Sequence, residues 1–277
     1  MNRLSTAGRV AVVASLVEGN SIRATARMTQ VSKPTVLKLL ADMGAVCAAY
    51  HDVFVRGLRV RRVQADEIWS FVGAKQKNVS AEKSGIWGDL WTWTALDADT
   101  KLMIGWLVGP RDTISGHKFL RDVAGRIASR CQLTTDGHRV YLTAVEDAFG
   151  DDVDFATLTK MYGHQGDGRY SPPEFIGAKS EVIKGSPNPR HISTSFVERQ
   201  NLTMRMSMRR FTRPTNAFSK KAENHAHAVA LHYVHYNFCR VHQTLRVTPA
   251  MQAGLSDSVW SLETLVGLLD AVENKAA

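Results

Sequence analysis

Cysteine is scarce in this chain. Its 277 residues hold three, Cys47, Cys131 and Cys239, odd in number and far apart. That excludes a disulfide framework and a cysteine-based zinc site. Long apolar runs are also missing: no stretch of about 18 uncharged apolar residues occurs, so no segment is expected to span a bilayer. The first residues place Arg3, Arg9 and Glu18 around a short apolar stretch with no small-residue cleavage site, so a signal peptide is not expected. Internal repeats are absent. Acid is the charge in deficit, with 26 Asp and Glu against 35 Lys and Arg and a formal net charge of +9. Such an excess favours a polyanionic partner, nucleic acid first and an anionic membrane surface second. With 44% apolar and 22% charged residues, the chain can bury a sizeable core and is not a disordered polymer. Its length allows one large domain or two smaller ones. A soluble, cytoplasmic protein is the expectation.

The basic charge is uneven. Residues 1–62 hold ten Lys and Arg against Glu18, Asp42 and Asp52, and residues 190–221 hold eight against Glu198 alone. The remainder is net acidic. Two separate basic stretches suit a protein that grips a phosphate backbone at two places, against the plainer alternative of ordinary solvated surface.

Residues 1–45 read as three short helices. Val10, Val13, Leu16 and Val17 recur at helical spacing, and Gly19-Asn20 ends that helix. Ser21 caps a second helix to about Met28, and Ser32 caps a third with Pro34 in its first turn. Ala26, Val31, Val36 and Leu39 fit the small and apolar positions of a helix-turn-helix, with Gln30 in the turn where glycine is common. Lys33, Thr35 and Lys38 would then face outward from the groove-entering helix. From residue 61 the pattern turns to strands: 63–72, 90–96 and 102–108, the last two flanking an Asp97–Thr100 turn. A helix over 115–129, a strand over 131–135, a helix over 140–149 and a strand over 153–158 follow. Residues 160–193, rich in Gly, Pro and Ser, read as a long irregular insertion, and helices follow over 195–210, 216–241 and near 262–272. The order describes a mixed α/β domain whose antiparallel meander leads into crossover units.

Three carboxylates stand out. Asp66 lies in the middle of an apolar strand, where an unpaired carboxylate is costly to bury. Asp136 ends a strand just before Gly137. Glu198 is one turn into a strongly basic helix. Acids from two strands and a helix suit two Mg²⁺ or Mn²⁺ ions about 3.5–4 Å apart, with water and DNA phosphate completing the hard oxygen set. Each also has a plainer reading. Ser195 to Glu198 is a capping box, in which Glu198 reaches back to the Ser195 amide. Asp136-Gly137 is a turn. Asp66 pairs with an arginine, or Glu67 is the functional acid instead. Strand alternation sends Asp66 and Glu67 to opposite faces, so only one is expected at the site.

Four segments taken in order carry a resemblance: Asp66 to Gly73, Thr135-Asp136-Gly137, Val197 to Asn201, and Tyr236 to Leu245 with Thr248 to Met251. Together they resemble DDE transposases of bacterial insertion sequences, nearest the insertion-sequence-one group, over roughly residues 60–262. The resemblance implies an α/β fold with an RNase H-like mixed-sheet catalytic core, here with an N-terminal all-α helix-turn-helix domain and C-terminal helices. It divides the chain into a DNA-binding domain at 1–60, a catalytic core at 61–215 with an insertion at about 160–193, and a helical segment at 216–277. Carried over, Asp66, Asp136 and Glu198 are the catalytic and metal-holding residues, with two Mg²⁺ (or Mn²⁺) ions and no other cofactor. Asn201 and Arg205 share the face of Glu198 and touch DNA or orient the glutamate. Arg209 and Arg210 join Lys33, Thr35 and Lys38 as DNA contacts. The partners implied are double-stranded element ends and target DNA, in a dimer or larger synaptic assembly on the bacterial nucleoid.

Two departures accompany it. The 62 residues from Asp136 to Glu198 exceed the spacing of related integrases and imply an insertion. Glu174 is a rival at shorter range, though Pro172-Pro173 argues against a helix there. The zinc-binding segment of some members has no cysteine pattern here to support it. His225, His232 and His235 share faces of one helix, where packing or phosphate contact is the expectation ahead of metal ligation. Met204, Met208 and Phe211 are expected in the core, as are most of Trp69, Trp87, Trp91, Trp93 and Trp106. Two other functions fit parts of the pattern: a helix-turn-helix DNA-binding protein without catalysis, and an RNase H-like nuclease acting on branched DNA.

Overall fold

A computed structural model describes residues 4–163, 174–212 and 214–275. Three helices come first: α1 (Thr6–Val17), α2 (Ile22–Thr29) and α3 (Lys33–Phe54). Each begins on a serine whose hydroxyl accepts an amide hydrogen from the first turn, Ser5 from Gly8, Ser21 from Ala24 and Ser32 from Thr35. Gln30 takes a left-handed φ of 56° in the turn between α2 and α3, which explains why glycine would suit that position. The third helix is far longer than the short one the sequence suggests. Its buried face carries Leu39, Leu40, Met43 and Cys47 into the core against α7 (Ala222–Phe238). At Gly44 the helices touch backbone to backbone: a Cβ there would sit 2.5 Å from the Cα of His227.

A six-stranded mixed sheet follows, in the order β3-β2-β1-β4-β5-β6. Strands β1 (Arg62–Val72), β2 (Gly88–Asp97) and β3 (Met103–Gly109) form the antiparallel meander. Helices α4 (Thr113–Ala124) and α5 (Val140–Phe149) then make the crossovers that set β4 (Cys131–Thr135) parallel to β1 and β5 (Val153–Tyr162) parallel to β4. Helices α4 and α5 pack together on one face. On the other lie α6 (Ser195–Ser207) and α7, followed by α8 (Pro249–Gln252) and α9 (Leu262–Lys275). Helix α9 returns to pack on α1 and α3, where Arg9 pairs with Asp270 at 2.5 Å. Residues from α1, α3, the sheet, α7 and α9 share one buried apolar cluster.

The expected irregular insertion at 160–193 is corrected in part. Strand β5 runs on to Tyr162, and β6 (Phe175–Lys184) pairs with it antiparallel. The strand is exposed over nearly its whole length, so neither face shows the apolar alternation that marks a strand in sequence. Glu174 precedes β6, while Pro172 and Pro173 lie outside the described residues. Helix α7 begins six residues later than expected, after a non-helical segment at 214–221. Met204, Met208 and Phe211 are buried, but of the five tryptophans expected mostly in the core only Trp93 is, while Trp69, Trp87, Trp91 and Trp106 are half-buried. No helix among the described residues is long and apolar enough to cross a membrane.

Candidate active site

Strand β4 is short. It pairs with β1 only from Arg62 to Ala65 and stops at Thr135, opposite Ala65. From Asp66 onward β1 therefore has no β4 partner on that edge, and Asp136 follows directly beyond the last rung. The even-numbered side chains of β1 face α6 and the odd-numbered ones face α5. Asp66 accepts from Nδ2 of Asn201 on α6 at 2.8 Å, and Glu67 accepts from the Tyr141 hydroxyl on α5 at 3.1 Å.

Asp66, Glu67 and Asp136 each bring a carboxylate oxygen within 4.8 Å of the others. This overturns the expectation that alternation admits only one of the first two. Past the end of β4 nothing separates the faces, and both side chains reach round the unpaired edge toward Asp136. Glu67 is held inside the protein. Its carboxylate also accepts from Nε of Arg111 at 2.9 Å, and Nδ1 of His138 lies 3.2 Å away. Arg111 rests 4.8 Å from the ring centre of Trp91 and reaches to 3.8 Å from Asp136. Asp136 accepts the His138 amide at 2.9 Å, which fixes its turn.

The crowding of negative charge shows in the protonation of the group. Burial, then the neighbouring Glu67 and Asp136, push the Asp66 carboxyl up to about 7. Burial also raises Glu67, against the opposing pull of Arg111. Three close carboxylates share one arginine. Each oxygen of Glu67 already accepts one donor, from Arg111 and from Tyr141, so Oδ1 of Asp66 and Oδ2 of Asp136 are the less engaged oxygens of the cluster. An all-oxygen pair carrying excess negative charge fits Mg²⁺ or Mn²⁺.

Glu198 stands apart from this cluster. Its Oε1 accepts from the Thr194 hydroxyl at 2.6 Å and its Oε2 from Nζ of Lys160 on β5. The capping box is not formed as the sequence suggests. Thr194 is the residue before the helix, and the Ser195 amide donates to Oγ of Ser193 instead. Helix α6 is positioned by Gln64, whose buried Oε1 accepts the Phe196 and Val197 amides at 2.9 and 3.0 Å. Gln64 lies two residues before Asp66 on the same face of β1, so one strand sets both the aspartate and the start of the glutamate's helix.

Among the residues expected at DNA, Lys33, Lys38, Arg205 and Arg209 are exposed. Thr35 is half-buried, its hydroxyl 2.8 Å from that of Ser32, and Lys38 pairs with Asp42 at 2.5 Å. Two others point inward, a correction to the outward grouping. Asn201 is buried and spends its amide on Asp66, and Arg210 donates to Oγ of Ser219 at 2.7 Å. Burial lowers Arg210 to about 10. On α7, His225 is a core residue between the hydroxyls of Ser219 at 2.9 Å and Ser70 at 3.3 Å. No histidine cluster of metal-binding geometry occurs among the described residues. Sequence reasoning did not single out Arg111, His138, Tyr141, Lys160 or Gln64. Only Arg111, two residues beyond the end of an apolar strand, sits where such a signal exists.

No protein-family model and no curated protein matches the chain. Solved structures do. A Mos1 transposase paired-end complex with the left transposon end is 13% identical, with a TM-score of 0.25 over 56% of this chain and 59% of that one. This chain thus spans somewhat under two thirds of that protein's length. A piggyBac transposase synaptic complex with hairpin DNA is 12% identical, with a TM-score of 0.36 over 96% and 70%. The Mos1 strand transfer complex is 11% identical, with a TM-score of 0.25 over 83% and 77%. The structural neighbours are transposases, at scores that by themselves establish neither fold nor activity.

Proposed function

We infer that the chain is a DNA transposase of the DDE kind. The observation that carries this reading is the convergence of Asp66 and Asp136 at the end of β4, on a strand whose next turn of contacts leads to the helix of Glu198. The sheet supports it: an antiparallel three-strand unit leading into two parallel crossovers suits the RNase H-like core that the resemblance implies. In this reading residues 61–215 form the catalytic core, 1–60 the helix-turn-helix unit that reads the element ends through Lys33, Thr35 and Lys38, and 216–277 a supporting helical segment. Arg205 and Arg209 offer further phosphate contacts. Synapsis of two ends requires a dimer or larger assembly.

Asp66 and Asp136, with Glu198, would hold Mg²⁺ or Mn²⁺, which when bound activates the attacking oxygen and stabilises the leaving 3′ oxygen. The chain's own groups prepare the site. Asn201 fixes one oxygen of Asp66 and leaves the other open. Arg111, locked by Glu67 and Trp91, keeps a positive charge beside Asp136, where charge on a phosphodiester would develop. Glu198 joins the pair by leaving Lys160 and Thr194. In-line attack then gives strand nicking and strand transfer without a protein-linked intermediate. The engagement of Glu198 by Lys160 and Thr194 favours one second reading, a DNA-binding protein on this scaffold that no longer catalyses.

The two separate in one experiment. Purified protein is incubated with its own gene's flanking DNA and a supercoiled plasmid, in Mg²⁺ or EDTA, beside a Glu198→Gln variant. Metal-dependent joining of flank to plasmid, lost in the variant, is the expected result. Flank binding with neither nicking nor joining in any metal would establish the non-catalytic reading.

A further inference from the structure

The two basic stretches of the sequence do not form two grips. Parts of both meet as the walls of one cleft of about 1110 Å³. One wall is α1–α3, with Arg23 and Lys33. The other is built from residues 207–210 and 214–221, with Arg209, Lys220 and Lys221. Gly19, at φ +82°, lets the end of α1 approach the Ser207 carbonyl, to within 3.1 Å of where a Cβ would stand, and so closes one end. No Asp or Glu is among the described lining residues, and these five exposed cations have no carboxylate partner there. The floor is apolar, built by Leu16, Leu37 and Leu231. His232 lines the deep side, buried, with its Nε2 unpartnered.

We propose that this cleft binds a single strand of nucleic acid, phosphates on the cationic rim and bases against the apolar floor. A cavity of this volume holds a strand of a few nucleotides, not the paired strands of a duplex. Unneutralised cations over an apolar bed are what a single strand requires, since its backbone is anionic and its unstacked bases seek apolar or aromatic surface. Helix α3 divides this function from duplex reading at every position but Lys33, which stands at the start of the helix and serves both. Lys33, Leu37 and Leu40 form the stripe that lines the cleft, whereas Thr35, Lys38 and Asp42 lie on another face. The carboxylate site plays no part in this binding.

The test measures fluorescence anisotropy of a labelled mixed-sequence single-stranded oligonucleotide and of the same sequence as a duplex, in EDTA across a salt series. The variant is Arg23→Ala/Lys221→Ala, one exposed cation from each wall. Lys77→Ala/Lys179→Ala removes equal charge elsewhere. Single-strand affinity is expected to fall about tenfold in the cleft variant, with a salt slope shallower by about 1.4 for two lost phosphate contacts. Duplex affinity, and both affinities of the control, should change less than about twofold, within ordinary surface-charge effects. Unchanged single-strand binding, an equal loss for duplex, or an equal loss in the control would overturn the proposal. Because the assay involves no cleavage, its outcome is independent of whether the protein joins DNA.

Discussion

Replacing Asp66 with Asn should make the metal-free protein more stable at pH 8. An acid whose folded value is raised to about 7 from 3.8 binds its proton more tightly when folded. Below about pH 4 the carboxyl is protonated in both states and contributes no difference. As pH rises from 4 to 7 the unfolded chain ionises freely while the folded site resists, so stability is lost across that window and stays lost above it. Linkage sets the limit at roughly 4 kcal/mol, from about 1.36 kcal/mol per pH unit. Solvent at the open side of the carboxylate reduces it. Asparagine keeps an oxygen to accept from Asn201 and removes the charge. Urea unfolding in EDTA should therefore show Asp66→Asn gaining at least about 1 kcal/mol over wild type at pH 8, and little at pH 4. A variant equally or less stable at pH 8 would mean that Asp66 is not strained by its neighbours.

The second large effect lies away from the site. Arg126 is buried, and its guanidinium donates to Asp122 at 2.8 Å, to Asp52 at 2.9 Å and to the carbonyls of His51 and Val55 at 3.2 and 3.1 Å. The His51 carbonyl, in the last turn of α3, also accepts the Val55 amide, whereas the carbonyl of Val55, the residue that caps the helix, has no further turn to donate to it. Arg126→Ala should cost about 2 kcal/mol, because it leaves the helix-end carbonyls short of a donor and empties a buried site, while Asp52 and Asp122 keep Arg56. Chemical denaturation would show the midpoint falling with the denaturant slope unchanged. A loss under about 1 kcal/mol would mean that water replaces the arginine and that α3 is held by its apolar face alone.

These two residues illustrate what the sequence could and could not disclose. Asp66 and Asp136 were legible because each breaks a local rule: one is an acid within an apolar strand, the other an acid at a strand end. Strand alternation admits only one of Asp66 and Glu67 to the site if β4 continues beside β1, and it does not. The length of a neighbouring strand is a tertiary fact, and no pattern in 62–72 carries it. Strand β6 was invisible because an exposed edge strand has no apolar period. Glu198 was legible as a residue, but its partners Lys160 and Thr194 meet it only once β5 and α6 pack. The two basic stretches were plain in composition, and their meeting across one cleft depends on α1 ending against α6 at Gly19. Helix α3 was cut short because its first half reads as a helix-turn-helix element and its second half, with Gly44 and Cys47, reads as nothing until α7 lies against it.

The central claim is that Asp66 and Asp136 together hold a divalent metal. Calorimetric titration of Mn²⁺ into the EDTA-stripped, dialysed protein tests it most directly, with Asp66→Asn and Asp136→Asn beside wild type. Saturable binding in wild type, weakened at least about tenfold in each variant, is the expected result, since each substitution removes one of two charged oxygen ligands. Mn²⁺ binding that survives both substitutions unchanged, or is absent from wild type, would contradict the claim.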